Sequence, residues 1–203
     1  MPLVTIFGIN AVGKDTIANE FKKKHPGTFI TSASRLLMYH LGIIDKYGAE
    51  DPVTKKNYKK LENTSQDKIM AITKGAYKNS LIRFSKNNRL TILLSHLVFM
   101  LHIDKDEPVF LDKKDPPFTK LSSGLIQIKS KSENILSRRI KDNKEGVRER
   151  YYSTLKFINK HQTLCDYKWK KIISLRAHNT YITIHNNNLD KAVSAVEKFV
   201  KQL

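Results

Sequence analysis

Nine residues, Gly8-Ile9-Asn10-Ala11-Val12-Gly13-Lys14-Asp15-Thr16, set two glycines, a lysine and a hydroxyl at the spacing that phosphate recognition requires. Gly8 and Gly13 let the backbone curl, so that successive N–H groups around Asn10, Ala11 and Val12 converge on phosphate oxygens. Lys14 reaches the β- and γ-phosphates, and a helix starting there adds the positive end of its dipole. Asp15 stands where a magnesium-binding hydroxyl usually follows the lysine, and Thr16 comes one residue later. Asp15 can grip a metal-bound water, cap its helix or repel phosphate. The pattern predicts a site for ATP with Mg2+; the plainer reading is a glycine turn between a strand and a helix.

The flanks favour the first reading. Leu3-Val4-Thr5-Ile6-Phe7 reads as a buried strand, and Ile17-Ala18-Asn19-Glu20-Phe21 as the opening of a helix. Gly27–Thr31 predicts a second strand, and Ser32-Ala33-Ser34-Arg35 offers a hydroxyl cap for a helix over 36–41. A lysine-rich helix is expected over 53–61, and a longer one from Ser65 to the turn at 86–89. Leu90–His96 is continuously apolar, as a strand covered on both faces must be, and should lie beside the first. The charged, proline-bearing stretch from His102 to Lys120 predicts a surface excursion, a lid or a substrate loop. Leu125–Ile128 reads as a strand. Ser132–Lys141 reads as a helix interrupted at 142–146, and a long helix resumes from Val147 to Lys171. Thr180–Ile184 is the last strand and Leu189–Val200 the closing amphipathic helix. The alternation predicts one α/β domain, a doubly wound five-stranded parallel sheet with helices on both faces.

Composition bounds the rest. The 203 residues suffice for one core, and the net charge of +18 attracts polyanions and phosphorylated substrates at long range. Lysines spread along the chain, so a solvated basic surface and a nucleic-acid face are both open readings. Cys165 is the only cysteine, which leaves no intrachain disulfide and reads as a packing residue in a reducing compartment. No signal-like start and no apolar stretch of about 20 residues is present, so a cytoplasmic protein without a membrane span is expected.

The order of parts resembles the P-loop nucleoside-monophosphate kinases, most closely the archaeal-type adenylate kinases and adenylate-kinase-like ATPases. Three stretches carry the likeness: the loop from Gly8 to Thr16 with its Gly-Lys-x-Thr ending, the strand end Leu93-Leu94-Ser95-His96-Leu97-Val98, and Ser132 to Arg150, followed by Ile184-His185-Asn186-Asn187-Asn188. The resemblance implies an acceptor-binding helical insertion at 32–86 and a short lid at 138–150. Lys14, Arg138, Arg139 and Arg148 would then be catalytic, closing charge around the transferring phosphoryl group. Ser34, Arg35 and His96 would bind the acceptor, and Asp15 would hold the metal through water. The chain departs from the family at Leu94, which takes the place of a carboxylate that organises Mg2+.

Three functions follow. The first transfers the γ-phosphoryl group of ATP to a nucleoside or deoxynucleoside monophosphate. The second is an ATPase or nucleotide-binding module acting on RNA or ribosomal particles, and the third is a kinase of a non-nucleotide small molecule.

Overall fold

The computed structural model describes residues 2–51, 53–97, 99–101, 109–111, 117–145, 154–177 and 180–203. Five strands form one parallel sheet: β1 (Leu3–Phe7), β2 (Phe29–Ser32), β3 (Thr91–Ser95), β6 (Gly124–Lys129) and β7 (Tyr181–His185). Their order is β2-β3-β1-β6-β7. Every residue of β1 and β3 is buried, so both faces of the central sheet are covered, as their unbroken apolar runs require. The chain leaves β1 towards β2 on one side and reaches β6 on the other. The strand order therefore reverses between β1 and β3, and in open α/β sheets the crevice for ligands opens at the carboxyl ends beside such a switch point.

Helix α1 (Lys14–Lys24) follows β1 directly and packs on the closing helix α9 (Leu189–Val200). Apolar Ile17, Ala18 and Phe21 face inward from α1, and Ala192, Val193, Val196 and Phe199 from α9. Helix α2 (Ala33–His40) begins at Ser32, whose hydroxyl accepts from the Arg35 N–H as the expected cap. Helix α3 (Lys55–Glu62) has a capping box between Thr54 and Asn57. The long helix expected up to residue 86 is present as α4 (Gln66–Ile72) and α5 (Lys78–Lys86), joined by a π-helical turn at Thr73–Tyr77.

After β3 the described residues form a two-stranded antiparallel pair, β4 (Phe99–Leu101) with β5 (Val109–Leu111), and the short helix α6 (Pro117–Leu121), while 102–108 and 112–116 of the expected surface excursion lie outside the described residues. One expectation needs correction. Helix α7 (Ser132–Lys144) runs through Asp142, Asn143 and Lys144 without a break, because an exposed helix face accepts polar residues. Helix α8 (Leu155–Ile173) is capped by Thr154, and the expected helical start at 147–153 lies outside the described residues. Trp169 of α8 packs against Phe7, 6.1 Å between ring centres, and its Nε1–H donates to Thr183 at 3.0 Å. No described helix is long and apolar enough to cross a membrane.

Candidate functional site

The loop from Gly8 to Gly13 leaves the carboxyl end of β1 at the switch point and runs into the first turn of α1. A side chain at Gly8 would meet Val12 Cγ1 at 2.6 Å and the Ile128 carbonyl at 2.9 Å, so only glycine lets the backbone pass there. Gly13 sits at φ 98°, and Ala11, which carries a side chain, at φ 66°. Two left-handed residues flank Val12, whose own N–H closes a turn onto the Ile9 carbonyl at 3.4 Å, and alternation of this kind is the backbone pattern of anion-binding loops. Lys14 is 5% exposed, and its Nζ donates to the Ile9 carbonyl at 3.3 Å, which folds the ammonium group back over the loop.

The carbonyls of this loop are met by side chains from the far half of the chain. Arg138 Nη1 donates to Ala11 O at 3.3 Å and Val12 O at 3.0 Å. Arg139, 2% exposed, donates to Asn10 O at 3.4 Å. Asn186 Nδ2 donates to Val12 O at 2.9 Å. The structure thus gathers Lys14, Arg138 and Arg139 around one loop, with their cationic groups on its backbone. Arg148 lies outside the described residues.

The acceptor candidates sit at the carboxyl ends of β2 and β3. Ser34 Oγ pairs with Ser32 Oγ at 3.1 Å. Arg35 Nη1 donates to the carbonyls of Gly48 at 2.9 Å and Asp51 at 2.5 Å, and Thr31 Oγ1 donates to Tyr47 O at 2.5 Å. One nitrogen of Arg35 therefore ties the 47–51 segment to the start of α2. His96 is half-buried immediately beyond β3. At the end of α2, His40 shares a 2.9 Å hydrogen bond with Ser80, and partial burial holds its pKa below the usual histidine range. Burial also pushes the Tyr77 hydroxyl well above its usual range.

Sequence reasoning missed several residues beside the loop. Lys129, at the end of β6, pairs with Asp166 of α8 at 2.5 Å, and Gln127 Nε2 donates to the same carboxylate at 2.8 Å. Asp166, Lys129 and Cys165 line a small pocket that Gly8 and Ile9 also border. Ser95 is buried opposite Phe7 at the end of β3, and its hydroxyl has no hydrogen-bond partner among the described residues. Ser95 lies in the strand end that carries the family resemblance, but its burial opposite Phe7 is set by the β1–β3 register, which the sequence alone does not give.

Leu94 is 5% exposed and offers no metal ligand. Among the described residues no group of three or more His, Cys, Asp or Glu side chains is gathered for a metal ion. Asp15 and Thr16 are both exposed on the first turn of α1. That donor set fits Mg2+, which keeps several of its waters and is held largely by the phosphates of a nucleotide.

No protein-family model matches the sequence, and no curated protein matches it. Solved structures do. A shikimate kinase from Bacteroides thetaiotaomicron superposes with a TM-score of 0.58 at 11% identity over 98% of either chain. A shikimate kinase from Acinetobacter baumannii in complex with shikimate gives 0.56 at 12%, covering 99% of this chain and 93% of its own. A gluconokinase from Sinorhizobium meliloti gives 0.50 at 9%, with 98% and 91% covered. At such identities the likeness is one of fold: a P-loop, nucleoside-monophosphate-kinase-like α/β architecture. These structures do not support the narrower likeness to archaeal adenylate kinases, which rests on the sequence motifs alone.

Proposed function

We propose that the chain is an ATP-dependent phosphotransferase acting on a small acceptor. The observation that carries this reading is the loop itself: a buried Lys14 folded over a loop turned by left-handed Ala11 and Gly13, at the switch point of a parallel sheet. Phosphoryl transfer asks a protein mainly to hold donor and acceptor in line and to neutralise the charge between them. Lys14 and the loop amides would bind the triphosphate. Arg138 and Arg139 would keep positive charge next to it, and Arg148 belongs with them in the same role. Asp15 and Thr16 would face a hydrated Mg2+, which supplies charge neutralisation on the phosphates when bound.

The acceptor side favours a group that is already ionised. An alcohol needs a base to take its proton as it attacks, whereas a phosphate monoester does not. Ala33, Ser34, Leu94 and Ser95 stand at the ends of β2 and β3 and none is a carboxylate, so His96 is the one base at that edge for an alcohol, whereas Arg35 suits a monophosphate. A nucleoside or deoxynucleoside monophosphate, held by Ser34, Arg35 and His96, is therefore the leading acceptor. A small hydroxy acid is the alternative, supported by the shikimate kinase and gluconokinase folds, with Asp15 as the exposed carboxylate nearest the loop. The test is a coupled ADP-release assay with ATP·Mg2+ against monophosphates, deoxymonophosphates and hydroxy acids. Acceptor-dependent turnover with a monophosphate supports the reading, and turnover with a hydroxy acid alone moves it to the alternative.

A second reading rests on charge. Residues 54–89 carry ten lysines and arginines, all exposed, against Glu62 and Asp67. That density suits a module acting on RNA. It would show as ATP hydrolysis stimulated by RNA, with no transfer to any acceptor.

A further inference from the structure

We infer that Asn186 is a positioning residue that holds the phosphate loop in its binding conformation before any nucleotide arrives. The inference rests on the nucleotide-binding part of the reading above. A loop that grips phosphate through inward N–H groups must turn carbonyls outward, and a carbonyl left buried without a donor costs as much as a lost hydrogen bond. Val12 O has two donors, Asn186 Nδ2 at 2.9 Å and Arg138 Nη1 at 3.0 Å. Val12 lies between Ala11 and Gly13, both left-handed. A left-handed alanine is strained and persists only where its surroundings determine it.

Asn186 is itself fixed. It is 5% exposed, its N–H donates to Lys129 O at 2.7 Å, and its carbonyl accepts from Ser130 Oγ at 3.2 Å. Its backbone thus belongs to the β6–β7 edge, and only its amide reaches across to the loop. The fit is tight: a methyl group on Gly13 would collide with Asn186 Nδ2. Gly13 is thus required both by its φ and by this contact. The side chain sits on the outer carbonyl face of the loop, so it acts on phosphate through the loop amides.

The test is calorimetric ADP binding to the wild type, Asn186→Ala and Asn186→Ser, with thermal unfolding of each without ligand. Serine keeps a polar group but falls short of Val12, and it carries the test if the alanine variant folds poorly. Both variants should bind ADP about tenfold more weakly, as expected for one lost buried hydrogen bond. In the transfer assay the loss should appear in KM for ATP, with KM for the acceptor unchanged. Asn186→Ala combined with Arg138→Ala should lose more than the two singles together, because only the double variant strips both donors from the Val12 carbonyl. Wild-type ADP affinity in folded Asn186 variants overturns the inference, as does an equal rise in both KM values. A wild type that binds no ADP removes the nucleotide reading itself and is distinguished at the first titration.

Discussion

Replacing Lys14 by methionine separates nucleotide binding from folding. The ammonium group is buried against Ile9 O, so its charge is little screened by solvent. Unit charges about 4 Å apart at an effective dielectric near 20 attract by about 4 kcal/mol, roughly three powers of ten in affinity. ADP at about a hundred times its Kd stabilises the wild type by about 2.7 kcal/mol. For a chain of this size that raises Tm by roughly 5–10 °C. At the same concentration Lys14→Met sits near one tenth of its Kd. It gains less than about 0.1 kcal/mol, below roughly half a degree. Methionine fills the space of the lysine stem and removes a buried charge, so Tm without ligand should hold or rise. Differential scanning fluorimetry with and without ADP reads both quantities. A variant that unfolds normally yet keeps the full ADP-dependent shift refutes the assignment of Lys14 to phosphate.

Gly13→Ala should destabilise the chain by about 1–3 kcal/mol from its left-handed backbone alone, with more from the collision with Asn186, seen as a lowered thermal midpoint. Arg35→Ala should raise KM for the acceptor and leave KM for ATP unchanged in steady-state kinetics; the reverse pattern would place Arg35 on the donor side. The lowered pKa of His40 makes stability pH-dependent. Below about pH 6.5 the unfolded chain takes up a proton there that the folded chain resists. Stability should fall as pH drops through that window and stay level above it, and His40→Gln should flatten this part of the denaturant-midpoint profile. Trp169→Ala, which empties the space between Phe7 and Tyr181, should cost about 3–5 kcal/mol in urea unfolding.

The loop and the sheet were legible in the sequence because their signals are local. A strand, a glycine turn and a helix follow one another within residues 3–24, and buried parallel strands announce themselves as apolar runs. The β4–β5 pair was not legible, because each strand has three residues, too short for alternation to register. The π turn at Thr73–Tyr77 adds a residue within a helical stretch, which periodicity read over a longer window does not detect. Polarity at Asp142–Lys144 suggested a break, yet polar residues suit an exposed helix end equally well. The site was half legible. Glycines and lysine betray a phosphate loop by spacing, but Asn186 reaches Val12 across 174 residues, and only the closed β6–β7 edge brings them together. Arg138 and Arg139 were singled out as cations for phosphate, and the structure sets both on loop carbonyls.

The central claim is direct phosphoryl transfer to an acceptor from ATP whose phosphates Lys14 holds, and γ-labelled ATP tests it most directly. Wild-type protein with Mg2+ and the acceptor panel should move label onto one acceptor, while Lys14→Met moves none. Label released only as inorganic phosphate, or equal transfer by the Lys14→Met variant, would contradict it.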